Sequence, residues 1–340
     1  MPFQSTADDR SDKGARYEST GAALYDDQGR AAAWELIFGG PRRRRRTMFL
    51  RARWIWITGI CFTLLASSLG LAVPAGRQGE KVTLDQLVAR HLESIGQPEA
   101  RAAAKTRSVS GPIKMTSRIG RVGLLDGKGV IASAGSKLRY SMGFNAPDYP
   151  TEQMAFDGQK ITTSFLPKGA RSQLSQFLDQ QSIPLREGLL CGALSSSWAF
   201  LRLDQLQPQL QYKGLTRVSG RQLHEIAYKA KKGSSDLKVT VYFEPDTFRH
   251  VLTTYKFQIG ARLGVGPNDS NRIGDSYYTL TEEYGDFRVV EGLTLPYKYK
   301  LQLSVETSNG TGLMDWVLSV EKVSNNDTFD EKLFRIDKVS

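Results

Sequence analysis

Three histidines (His91, His224, His250), the serine triplet Ser195 to Ser197 and Cys191 are the side chains in the body of this chain that could serve as base, nucleophile or metal ligand. Their spacing argues against it. No G-x-S-x-G elbow surrounds the serines, and no two histidines stand at metal or triad spacing. Each histidine therefore reads as an ordinary surface residue, and Cys191, set in Leu189-Leu190-Cys191-Gly192, as a small buried hydrophobe. Gly127-Lys128 lacks the spacing and the following Ser or Thr of a phosphate loop. The run Asp269-Ser270-Asn271 opens like a calcium loop, but Ile273 occupies a ligand position and Leu280 stands where the bidentate glutamate belongs. Glu282 and Glu283 fall on opposite faces of one strand and form no acid dyad. The expectation is a protein that is not an enzyme and carries no metal or cofactor.

The informative pattern is apolar. In Tyr297-Lys298-Tyr299-Lys300-Leu301-Gln302-Leu303-Ser304-Val305-Glu306 every odd position is apolar and every even one polar, as in a strand with one dry and one wet face. Val239, Val241 and Phe243 repeat the alternation, as do Val251, Tyr255 and Phe257 in the next run. Together with Trp316 and Leu318, these residues and Tyr299, Leu301 and Leu303 form the candidate apolar wall for a ligand.

The elements that hold this wall can be read in order. Thr83 and Gln86 form a capping box, Asp85 lies in the first turn and Gly96 ends a helix whose apolar stripe is Leu84, Leu87, Val88, Leu92 and Ile95. A short helix follows from Pro98. Strands run from about Ser108 to Phe165, with turns expected at Asp126-Gly127, Ala134-Gly135 and Asp157-Gly158. A helical break then carries Leu174, Phe177, Leu178, Leu185, Leu189 and Leu190, interrupted by Pro184, Gly188 and Gly192. Helix-breaking residues in an otherwise apolar segment imply marginal docking, hence a mobile lid over residues 172–194. Five or more further strands follow to Val323, with turns at Glu244-Pro245-Asp246-Thr247 and around Gly310-Thr311-Gly312. About ten antiparallel strands in one sheet twist and curl. The fold class is α+β: a single antiparallel sheet curled into an incomplete barrel covered by short helices, spanning 76–340.

The N-terminus reads differently. Residues 1–47 are a polar extension, either disordered or preceding a true start at Met48, and they close with Arg42 to Arg46. Residues 48–75 then give a basic start, an uncharged run from Trp54 and the small-residue tripeptide Val73-Pro74-Ala75, in the order of a secretory signal. The run also approaches the ~20 residues that span a bilayer, so a signal anchor is the alternative. Either places the rest of the chain across a membrane, in the periplasm. Ile60 ahead of Cys61 does not fit a lipidation box. Beyond residue 75 remain 35 basic and 28 acidic side chains, a net +7 spread over strand faces. No basic stripe interleaved with aromatics occurs, so nucleic acid is not an expected partner.

Three stretches carry a resemblance. They are Thr83-Leu84-Asp85-Gln86-Leu87-Val88-Ala89-Arg90-His91-Leu92 with Ile95-Gly96, then Val241-Tyr242-Phe243-Glu244-Pro245-Asp246-Thr247, and the run from Tyr284 through Gly292 to Pro296. Over residues 80–336 the chain resembles the outer-membrane lipoprotein-sorting family, the LolA/LolB-like superfamily of periplasmic lipid and lipoprotein carriers. The resemblance implies an unclosed barrel whose concave face binds acyl chains under a helical lid. Its expected partners are a lipid or acylated lipoprotein, with transient contact to the membrane or to envelope proteins. A half-barrel filled by its own side chains, serving as an envelope scaffold, is the alternative. N-terminal sequencing of exported material should begin near Gly76; recovery of full-length membrane-embedded chain would identify an anchor instead.

Overall fold

The computed structural model describes residues 82–119, 121–232, 236–260 and 274–337. The expected extension 1–47, the expected signal or anchor at 48–75 and the start of the calcium-like loop lie outside the described residues. Helix α1 (Leu84–Ile95) begins at the expected capping box, with Gln86 Oε1 accepting from the Thr83 N–H at 2.9 Å and Thr83 Oγ1 accepting from the Gln86 N–H at 3.3 Å. Helix α2 (Pro98–Ala103) follows.

The chain then lays down β1 (Thr106–Ile119), β2 (Arg121–Ala134), β3 (Lys137–Phe144), β4 (Thr151–Phe156) and β5 (Ile161–Thr163). A connection holds α3 (Gln173–Gln180), α4 (Ile183–Arg186) and α5 (Leu203–Leu206). After it come β6 (Gln209–Val218), β7 (Arg221–Lys229), β8 (Lys238–Phe243), β9 (His250–Ile259), β10 (Ser276–Val290), β11 (Leu293–Thr307), β12 (Gly310–Ser319) and β13 (Lys322–Asn325). All pair antiparallel in one sheet ordered β5-β4-β3-β2-β1-β12-β11-β10-β9-β8-β7-β6, with β13 beside the first half of β1. Its ends, β5 and β6, do not meet, so the barrel is incomplete.

One contact shows the curl. Tyr140 on β3 and Tyr299 on β11 are four strand spacings apart in the sheet order, about 19 Å if it were flat, yet their rings lie 5.9 Å apart. On the concave side β11 keeps the expected period of two: Tyr299, Leu301, Leu303 and Val305 are buried and Lys298 is exposed.

Two expected turns differ. Asp126-Gly127 lies within β2, where Gly127 pairs with Phe144; a Cβ there would sit 2.1 Å from the Gly143 carbonyl, so the glycine serves strand approach rather than reversal. The β11–β12 reversal falls at Ser308-Asn309, two residues before the expected glycines. The Ala134-Gly135 and Asp157-Gly158 turns stand where expected.

Trp316 on β12 is fully buried in the main core. Trp316→Ala should cost about 3–5 kcal/mol of unfolding free energy in urea denaturation, the range for large-to-small changes in packed cores.

Candidate functional site

The concave face is where the predicted wall assembles. Val239, Val241, Phe243, Tyr255, Tyr299, Leu301, Leu303, Trp316 and Leu318 are all buried in one cluster, and Phe257 packs half-buried at its margin. Val251 departs from this set. A register shift between Tyr242 and Phe243 pairs Phe243 with His250, which turns His250 inward and sends Val251 to a small outer cluster with Leu223 and Leu252. Strict alternation in the sequence cannot see an inserted residue.

Leu174, Phe177, Leu178, Leu185, Leu189 and Leu190, expected to dock marginally, are each at most 2 % exposed and belong to the same cluster. Gly188 and Gly192 are not loose points. Both have positive φ, and a Cβ would strike the Ser197 carbonyl at 2.1 Å or the His250 Nδ1 at 2.8 Å, so they let this connection press against its neighbours.

Polar anchors fix the same connection to the sheet. Glu282 on β10, fully buried, accepts hydrogen bonds from Tyr255 Oη at 2.6 Å, Tyr299 Oη at 2.7 Å and the Cys191 N–H at 2.7 Å. Glu152 on β4 accepts from Ser175 Oγ at 2.5 Å and Tyr149 Oη at 2.6 Å. Tyr228 on β7 donates to Glu187 at 2.7 Å, Arg107 on β1 donates to the Ala193 carbonyl at 2.7 Å, and Ser133 on β2 accepts from the Ser196 N–H at 2.8 Å. Residues 172–206 therefore occupy the concave face as a bonded plug. Burial pushes the Glu282 and Glu152 carboxyls above the ordinary range, opposed by their hydroxyl donors. The Cys191 thiol is also pushed up, by burial and then by Glu282, which suits an inert thiol.

The histidines correct the surface expectation, since all three are buried. His91 faces inward from α1. The Phe248 carbonyl can only accept and the Trp198 indole N–H can only donate, so Nδ1 carries the proton to Phe248 at 3.1 Å and Nε2 accepts from Trp198 at 3.0 Å. His250 stacks on Trp198 at 4.6 Å, and His224 bonds Tyr212 Oη at 2.7 Å. These are structural roles. The serine triplet is likewise internal: Ser195 and Ser197 share a hydroxyl hydrogen bond. No group of three or more His, Cys, Asp or Glu that could hold a metal occurs among the described residues, and no helix among them is long and apolar enough to cross a membrane.

One pocket opens where the wall ends. It has a volume of about 260 Å³ and lies between β1, the β11–β12 hairpin and the start of α3. Val305 continues the dry stripe of β11 into it, Ile119 does the same from β1, and Arg118, Gln173, Thr307 and Thr311 supply polar lining. The wall-and-lid reading of the sequence did not reach Arg118 or Gln173, because neither lies on a dry strand stripe.

Fold and site define a curled antiparallel sheet whose concave face is packed by its own chain, with a pocket between β1, the β11–β12 hairpin and the start of α3. Solved structures that match it include the LolA superfamily protein NE2245 from Nitrosomonas europaea, 11% identical over 75% of this chain and 98% of that one with a TM-score of 0.38. A putative outer membrane lipoprotein-sorting protein domain from Vibrio parahaemolyticus is 9% identical over 73% and 95%, with a TM-score of 0.42. The Pseudomonas aeruginosa MucA/MucB complex also matches, 9% identical over 71% and 99%, with a TM-score of 0.20. No protein-family model and no curated protein matches the sequence. The fold assignment rests on sheet order and register.

Two outcomes test the interior. Glu282→Leu strands three buried donors, at roughly 1–3 kcal/mol each, and should lower the unfolding free energy by several kcal/mol in urea denaturation. His91 is held at a pKa of about 4, chiefly by burial, against 6.5 for a free histidine. Between those values the unfolded chain binds a proton that the native chain refuses, so stability present at neutral pH is lost as pH falls through 6.5 towards 4, by about 3 kcal/mol from this group. His91→Gln should remove that part of the difference in unfolding free energy between pH 7 and pH 4.

Proposed function

We propose that the chain is a non-catalytic binding protein of the cell envelope, exported to the periplasm, which takes the apolar part of a lipid or acylated protein at the open end of its half-barrel. The observation that carries this reading is the way the dry stripe of β11 ends. Tyr299, Leu301, Leu303 and Val305 all pack in one core cluster with residues 174–200 of the connection, and of the four Val305 also lines the 260 Å³ pocket beside Ile119. Magnitudes favour the mouth over the whole wall. Each apolar side chain of the plug contributes roughly 1.5–3 kcal/mol by burial, and each uncharged hydrogen bond about 0.5–1.5 kcal/mol more. An acyl tail regains about 0.8 kcal/mol per methylene and offers nothing to the hydrogen bonds. Seating a few methylenes over Val305 and Ile119 leaves the plug in place.

The polar anchoring of residues 172–206 favours a second reading, an envelope scaffold or partner-binding component whose half-barrel stays filled. Native mass spectrometry after mild extraction separates the two. Lipid adducts are expected on the wild-type chain, and Thr311→Trp, which places a large ring at the exposed rim of the pocket, should remove them without lowering stability. Bare wild-type protein would support the scaffold, and adducts unchanged in Thr311→Trp would place the lipid elsewhere.

A further inference from the structure

We infer that the mouth pocket selects a polar head that joins an anionic oxygen to an N–H donor, as a phosphoethanolamine does. This rests on the lipid-binding reading and adds a headgroup preference to it. Among the residues lining the pocket Arg118 is the one that carries charge. It is exposed and makes no ion pair or hydrogen bond among the described residues. The neighbouring basic residue on β1, Lys114, does have a partner, Asp126 at 3.9 Å. An unpaired guanidinium at the rim of a small cavity is a fork for a phosphate or carboxylate.

Gln173 supplies the other half. It is the first residue of α3 and lines the same pocket, and its Oε1 is buried without a hydrogen-bond partner. A buried carbonyl oxygen left unpaired is costly, and a ligand N–H within reach removes that cost. Ile119 and Val305 supply apolar lining in the same pocket, and both pack with the core cluster of the dry wall. The lining thus offers one group to each part of such a lipid: a cation for the phosphate, an acceptor for the amine and apolar surface for the first methylenes. A trimethylated head of the same charge has no N–H to offer Gln173 and leaves its oxygen buried and unpaired. The pocket therefore discriminates on donor capacity rather than on net charge.

The test uses the whole chain and two monomeric probes, dihexanoyl phosphatidylethanolamine and dihexanoyl phosphatidylcholine, titrated by calorimetry with amide shifts followed at Ile119 and Val305. The ethanolamine lipid should bind about tenfold more tightly, the ratio that one unpaired buried acceptor produces. Gln173→Leu should bring the two lipids within about twofold of each other, and Arg118→Gln should weaken both by a similar factor. A thermal melt of each variant matching the wild type keeps folding out of the comparison. Equal binding of the two lipids to the wild type, or a preference that survives Gln173→Leu, overturns the headgroup inference while leaving lipid binding intact. Binding of neither lipid overturns both.

Discussion

A carboxylate buried in an apolar sheet interior must be satisfied from several directions, and Glu282 meets that constraint by drawing in three donors. Two come from the strands on either side, Tyr255 on β9 and Tyr299 on β11, and the third is the Cys191 N–H of the connection. Neutralising this one group fixes the phenol orientations of two adjacent strands and the position of the plug. An unpaired carboxylate there would cost several kcal/mol, so the arrangement is closer to all-or-none than a set of independent contacts. Cys191 can aim its N–H at the carboxylate because it holds φ at +67°, and the glycine after it lies against His250 and Tyr284.

The same logic recurs at Glu152 of β4, met by the Ser175 hydroxyl of the plug, and at Glu187 of the plug, met by the Tyr228 hydroxyl of β7. Apolar packing makes the interior dry, and these polar pairs specify which stretch of chain fills it. The half-barrel is a container already occupied over most of its length. A pocket among the described residues lies between β1, the β11–β12 hairpin and the start of α3.

The half-buried sheet, its antiparallel order, the capped first helix and most of the apolar wall were legible in the sequence because period-two and period-3.6 patterns are local. What lay hidden was non-local or one residue out of step. Val251 sits outside because a bulge shifts β9 by one residue. The histidines read as surface residues because burial of a lone imidazole depends on partners far along the chain, Trp198 and Phe248 for His91. Glu282 did leave a trace: it shares its strand face with Leu280 and Tyr284, and a charged residue on a dry face marks a buried polar centre. Gly188 and Gly192 looked like weaknesses, since from sequence alone a glycine that loosens a helix and one that permits close packing are indistinguishable.

Amide hydrogen exchange of the ligand-free protein over residues 172–194 bears most directly on whether this connection is fixed interior. If Glu282, Glu152 and Tyr228 hold it as described, the amides of α3 and the Cys191 N–H should be protected to the same degree as those of β11 near Leu301. Exchange of residues 172–194 much faster than that of β11, with the strands still protected, would contradict the account and restore a lid that opens the whole concave face.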